Sequence, residues 1–248
     1  MLRRRKVIVN KIVRAPGRPR AFDPKKALEK ALDVFWRRGY EGASLRELTK
    51  AMGINKPSVY AAFGNKQDLF RKALDRYAET ATDYVRVGLK APTAREAVER
   101  IMVGAADSLS DARHPRGCLM VQGALACGEE SKVVQRELCS RRALGEAAIR
   151  ERLEQAKSEG DLAAEANPAE LAGYVMTVVH GMSVQASGGA SREKLRGIAE
   201  RAMRAWPIAN REAIHTKIRR GMAQLNRSEG ISDDQLDSVL SKLKAETE

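Results

Sequence analysis

The sequence is poor in the residues from which metal sites, disulfide frameworks and nucleophilic centres are built. Cysteine occurs three times in 248 residues, as Cys118, Cys127 and Cys139. The number is odd and the spacing is not that of a metal-binding pair, which excludes a disulfide scaffold and points to a reducing compartment. The three histidines, His114, His180 and His215, are scattered. No phosphate-binding glycine loop, Gly-x-Ser-x-Gly elbow or His-Glu-x-x-His stretch occurs, and nothing pairs a nucleophile or an acid with a base, so the chain does not read as an enzyme and calls for no cofactor or metal. No apolar run reaches the ~20 residues that cross a bilayer. The N-terminus lacks the apolar core of a signal peptide. These gaps predict a soluble, cytoplasmic protein without a membrane partner. Aromatic residues make up only 4% of the chain. A ligand pocket is therefore expected to be lined by aliphatic side chains, Met and Ala, and to suit a small or apolar molecule.

What the chain has in excess is positive charge. Lys and Arg number 45 against 32 Asp and Glu, for a net charge of +13, which fits a nucleic-acid partner although many basic proteins bind none. The first twenty residues contain no acid, and the Ala-Pro-Gly-Arg-Pro-Arg stretch prevents a continuous helix there. Residues 1–20 read as a flexible basic arm. Arg18 and Arg20, nearest the fold, are its candidates for minor-groove or phosphate contact; the alternative is a solvated tail that only raises the encounter rate. Strand alternation is absent, and 43% hydrophobic residues suffice for one or two cores. The predicted fold class is all-α.

The segment from Ser44 to Phe63 carries the clearest local chemistry. Ser44 followed by Glu47 is a capping box, and Leu45, Leu48 and Met52 form one apolar stripe. Gly53 suits the left-handed residue that ends such a helix. Asn55 then caps a second helix with Pro57 in its first turn, and Val59 and Phe63 supply its buried side. Lys56, Ser58, Tyr60, Ala61 and Ala62 remain outside, a small, polar and basic surface suited to a major groove. Two helices with a glycine at the turn make a helix-turn-helix, although an αα-hairpin inside any helical domain would look similar. Tyr60 is open to two readings, core residue or phosphate contact through its hydroxyl.

The flanks extend the pattern. Asp23-Pro24 opens a helix with Ala27, Leu28, Ala31, Leu32, Phe35 and Trp36 on its apolar side, ending at Gly39-Tyr40. Gly64-Asn65-Lys66-Gln67-Asp68 opens another with Leu69, Phe70, Ala73, Leu74, Tyr77 and Ala81 inward, expected to run to about Gly88. Over residues 22–77, the helix-Gly-Tyr-x-Gly-Ala-Ser lead, the Met-Gly-Ile-Asn turn and the Tyr-x-x-Phe-x-x-Lys exit closely resemble the DNA-binding domain of TetR/AcrR-family bacterial repressors. Thr49 departs from the alanine common there. The resemblance implies DNA contacts at Ser44, Asn55, Lys56, Ser58, Tyr60, Ala61 and Lys66, with bases read by Lys56, Ser58 and Ala61.

Residues 21–65 read as a three-helix head within a DNA-binding domain over 21–80, and the resemblance implies a larger ligand-binding and dimerisation domain over 81–207. The helical pattern there continues through a Thr93/Glu96 capping box, a short buried helix from Cys118 to Cys127, a long helix from Ser131 to about Gly160, and two last helices, Asn167–Ser187 and Ser191–Trp206. By the resemblance this last pair forms a four-helix interface with its copies; the first of the two is apolar on more than one side, as such an interface or an interior position requires. Cys118, beside Arg116 and a helix start, is the best candidate for a thiol sensor, which would need an exposed thiolate of depressed pKa; a small buried hydrophobe is the alternative. Residues 208–248 form a helical C-terminal extension that looks like the end of ParD-type antitoxins. The expected function is a homodimeric transcriptional repressor on a double-stranded DNA operator, released by a small-molecule effector. A non-specific basic DNA-coating protein and a helical small-molecule enzyme are the competing classes.

Overall fold

The structure, a computed structural model, describes residues 22–125, 131–207 and 219–223. Among these residues every regular element is helical. The arm carrying Arg18 and Arg20, Cys127, and most of the C-terminal extension lie outside the described residues.

Three helices make the head: α1 (Pro24–Gly42), α2 (Leu45–Met52) and α3 (Lys56–Phe63), backed by α4 (Lys66–Thr80). Asp23 caps α1 by accepting from Lys25 N at 2.9 Å. α1 lies across α4 and buries the inward residues expected of it, Ala27, Ala31, Leu32, Phe35 and Trp36. Phe35 meets Phe70 edge-on with centroids 4.9 Å apart, and Trp36 meets Tyr77 in the same way at 4.7 Å. Such aromatic pairs add ~0.5–1.5 kcal/mol to the area they bury. The helical path of α1 is interrupted at Gly39, near the expected end of the helix.

The fourth helix is shorter than its periodicity predicts. It stops at Thr80, and a separate short helix, α5 (Asp83–Gly88), follows. Both threonines at the break turn their hydroxyls back onto the preceding turn, Thr80 to Arg76 O at 2.8 Å and Thr82 to Ala78 O at 3.0 Å, a habit that bends helices. Ser108 then donates to Ala81 O at 2.7 Å, taking a carbonyl that a continuing helix would have used.

The body contains α6 (Ala94–Leu109), α7 (Leu119–Leu125), α8 (Lys132–Ser158), α9 (Pro168–Ser187) and α10 (Arg192–Arg204). Its core gathers Ile101, Met102, Ile149, Leu153, Val175, Met182, Leu195 and Trp206. At the start of α6 only half of the predicted capping box forms. Thr93 Oγ1 accepts from Glu96 N at 3.2 Å, but the Glu96 carboxylate turns to Arg100. Asp161, from beyond α8, accepts from the neighbouring Ala94 N. Along α9, Val175, Val179, Met182 and Ala186 face the core, whereas Tyr174, Thr177, Gly181 and Val184 are exposed. α9 is thus a surface helix in the single chain.

Head and body meet at α7 and the start of α8, where Leu119, Val134 and Leu138 join the head's core. Cys118 packs against both cores. Arg141 ties α8 to α4 through Asp75 at 2.7 Å.

Candidate nucleic-acid interface

The predicted recognition helix α3 has eight residues, fewer than the ~12–15 an isolated helix needs to persist in water. Its rigidity therefore comes from its surroundings. Val59 is fully buried and Phe63 nearly so. At its start, Asn55 Oδ1 accepts from Ser58 N at 2.9 Å; at its end, Lys72 Nζ donates to Phe63 O at 3.1 Å, which places a cation at the negative end of the helix.

α2 sets the angle at which α3 leaves the head. Both halves of the Ser44/Glu47 box are present: Glu47 N donates to Ser44 Oγ at 3.1 Å, and Ser44 N donates to the Glu47 carboxylate at 3.1 Å. Those contacts with Ser44, backbone first, hold the Glu47 carboxyl below its usual range. Gly53 closes α2 at φ 68°, ψ 28°, a left-handed conformation in which a β-carbon costs ~1–2 kcal/mol. Its successor Ile54 donates back to Thr49 O at 3.2 Å, which reverses the chain into α3.

The seven described residues named for DNA contact occupy one end of the head, on α3 and on the caps and first turns around it. Lys56, Tyr60 and Ala61 are exposed and Ser58 is half-buried. Tyr60 is 47% exposed, so it is not a core residue. The Lys56 ammonium lies 5.9 Å from its ring centroid, one turn away along the helix. Ser44 and Asn55 are exposed but use their side chains as caps. Lys66 departs from the simple picture of a free cation: its ammonium rests 4.5 Å from the Tyr40 ring centroid. Desolvation there lowers its pKa, partly offset by Glu41. The ring holds the ammonium in place, beside the first turn of α4.

Cys118 is not set up as the sensor its neighbours suggest. Burial pushes the thiol up from its ordinary pKa, and the hydrogen bond from Tyr77 and nearby backbone N–H groups only partly oppose that. Arg116, expected to help the thiolate, sends its guanidinium to Gly189 O at 3.1 Å. The exposed thiol among the described residues is Cys139, with Arg142 Nη2 at 3.3 Å from its sulfur. The open cleft between head and body, about 960 Å³, is lined by Trp36, Tyr84, Asp107, Arg113 and Arg192 among others. It is mixed in character and lacks the aliphatic lining expected of an effector pocket.

One linkage has no counterpart in the sequence reading. The Trp36 indole N–H donates to Gly117 O at 3.1 Å, and the His114 ring stacks on the indole with centroids 4.5 Å apart. A buried indole N–H calls for an acceptor, which was the available signal, but nothing local says that the acceptor is 81 residues away.

A short exposed helix held at both ends, preceded by a glycine-turned helix, defines the class: a helix-turn-helix DNA-binding regulator with a helical second part. Comparison with known proteins narrows it. Residues 27–73 match the family profile described as bacterial regulatory proteins, tetR family, and residues 93–203 match the tetracyclin repressor-like C-terminal domain. The chain is 33% identical over 198 residues to the HTH-type transcriptional repressor ComR of Escherichia coli K12, covering 79% of this chain and 94% of that one. Among solved structures, a cysteine mutant of the TetR family regulator CifR with 26-base-pair operator DNA is 47% identical, with TM-score 0.74, covering 77% of this chain and all of that one. A TetR regulator from Rhodococcus sp. RHA1 is 42% identical, with TM-score 0.53, over 74% of this chain and 98% of that one. The chain belongs to the TetR family and is a DNA-binding transcriptional regulator.

Proposed function

We propose that this chain is a homodimeric, cytoplasmic repressor without catalytic activity. It holds a near-palindromic operator through two copies of α3 and releases it when a small molecule binds the body. In domain terms, residues 1–20 are a basic arm, 21–80 the DNA-binding head, 81–207 the effector and dimerisation part, and 208–248 an extension. The observation that carries the reading is the exposed face of α3, with Lys56, Ser58, Tyr60 and Ala61 on a helix fixed by the packing of Val59 and Phe63. Lys56 and Ser58 can donate to base edges, Ala61 lets the backbone come close, and Tyr60 reaches a phosphate. Asn55, Ser44 and Lys66 hold the flanking phosphates, and Arg18 and Arg20 reach the neighbouring groove. The operator complex of CifR and the repressor role named for ComR support the reading. So does the exposed side of α9, where Thr177, Gly181 and Val184 leave room for a partner helix. Among the described residues no helix is long and apolar enough to cross a membrane.

Selection from a randomised duplex pool at near-physiological salt tests it. Recovery of a two-fold symmetric motif with half-sites about one helical turn apart is the expected result. Retention without a motif would favour a non-specific DNA-coating protein.

A further inference from the structure

We propose that Trp36, Gly117 and Ser183 form a relay from α1 to α9, and that they are positioning residues fixing the half-site spacing the protein accepts. The inference rests on the reading that α9 faces the partner copy of a dimer that binds an operator.

In a symmetric dimer the two recognition helices must reach successive major grooves, ~34 Å apart. Their separation depends on the angle each head makes with the dimerisation helices. The chain itself holds that angle weakly, because α4 and α5 are separate helices with a break at residues 81–82. Beside the packing of α7 and α8 on the head's core, a direct connection from α1 to α9 runs through one peptide group. The carbonyl of Gly117 accepts from Trp36 Nε1 of α1 at 3.1 Å. The N–H of the same peptide unit, that of Cys118, donates to Ser183 Oγ of α9 at 2.8 Å. No peptide bond among the described residues is cis, so the carbonyl and N–H point in opposite directions from a rigid plane. Head and α9 therefore grip the two ends of one strut.

The surroundings keep the strut in place. Trp36 is buried and packs against Tyr77 on one side and the His114 ring on another. Ser183 is fully buried. Gly117 has φ +83°, and a β-carbon there would run into Gln122 and Ser187 and lie 3.0 Å from Ser183 O. Only glycine lets this loop press so directly on α9. Arg116 adds a bond to Gly189 O just beyond the end of α9, so the loop follows α9 on one side while it holds α1 on the other. A shift of α9 at the dimer contact is passed to the head without passing through α4.

The test uses the full-length dimer and its selected operator, with one or two base pairs inserted between the half-sites. Trp36→Phe removes the donor and leaves a smaller aromatic ring in the same place; Ser183→Ala removes the acceptor with almost no change of volume. The parent protein should bind the native spacing and lose affinity steeply with each insertion. Each variant should discriminate against the inserted operators about five-fold less, the scale of one net hydrogen bond. Binding to an isolated half-site should be unchanged, because the α3 surface is untouched. The double variant should be no worse than either single one, as two links in one path require. Light scattering and thermal melts establish that each variant is a folded dimer; if Trp36→Phe fails to fold, the Ser183→Ala profile decides. A parental spacing profile in folded variants, or additive effects in the double variant, would overturn the relay. Failure of the parent protein to select any symmetric operator would instead overturn the functional reading.

Discussion

Asn55 is assigned two roles, cap of the recognition helix and phosphate contact, and two substitutions separate them. Asn55→Ala deletes the bond from Asn55 Oδ1 to Ser58 N. Losing an N-cap costs ~1 kcal/mol, which should lower the melting temperature by ~2–4 °C in a chain of this size. The loss is local. It falls on the first turn of an eight-residue helix, where Lys56 and Ser58 stand. If each head must re-form that turn on the operator, affinity drops by up to ~5-fold per head, or ~25-fold for two heads. Asn55→Asp behaves differently. The carboxylate still accepts from Ser58 N, and a negative charge at a helix N-terminus gains ~0.3–1 kcal/mol, so the melting temperature should hold or rise. Against a phosphate the same charge is repulsive by ~1 kcal/mol at 4 Å even in water, and the donor NH₂ group is gone. Operator affinity should fall at least ~10-fold, more at low salt than at high salt. The expected signature is stability and affinity moving together in Asn55→Ala and apart in Asn55→Asp, read by circular dichroism melts and fluorescence anisotropy on a labelled operator. An Asn55→Asp variant that binds its operator as tightly as the parent protein would refute the phosphate contact. An Asn55→Ala variant with an unchanged melt would refute the cap.

Three further outcomes follow from the same geometry. Lys66→Ala should weaken binding to all duplexes alike and reduce the slope of log affinity against log salt by about 1, as titrations at several salt concentrations would show; selective loss at one base pair would contradict its assignment to phosphate. With iodoacetamide at mildly alkaline pH, exposed Cys139 should be labelled well before Cys118, whose half-buried thiol has its pKa raised by desolvation, and peptide mass spectrometry should find Cys118 labelled more slowly in the folded protein than after unfolding. Val184→Asp, a charge on the exposed side of α9, should convert the dimer to a monomer in light scattering and abolish operator binding with the helical spectrum retained; a stable dimer would remove α9 from the interface.

How far the sequence could be read depended on how far along the chain each group had to reach. The caps of α2, α3 and α4 are local, each joining residues three apart, and Ser44, Asn55 and Asn65 all make the bonds their positions imply. Gly53 takes the left-handed conformation expected of it. The exposed residues of α3 were legible for the same reason. Once Val59 and Phe63 are known to be inside, helical geometry leaves Lys56, Tyr60 and Ala61 outside, and their exposure agrees.

The departures all involve a partner supplied from elsewhere in the chain. Thr93 and Glu96 have the sequence of a capping box, but the Glu96 carboxylate pairs with Arg100 and not with the N-cap N–H, while Asp161, 67 residues beyond Ala94, accepts from the next N–H of the helix. The helix expected to continue to Gly88 is broken where Ser108 captures the Ala81 carbonyl from 27 residues away. Arg116 is two residues from Cys118 and would depress its pKa if it pointed there, yet its guanidinium is drawn to the end of α9. In each case a local rule described a real preference and another group took up a donor, acceptor or charge at the same place. Trp36 shows the limit most clearly. Its place in the apolar stripe of α1 implies burial, and a buried indole implies an acceptor, but any carbonyl would serve. That the acceptor is Gly117, with its peptide N–H already committed to Ser183, follows from where α9 passes the head. For that reason the exposed face of α3 could be inferred from twenty residues, whereas the bond that joins α1 to the Gly117 loop required the whole fold.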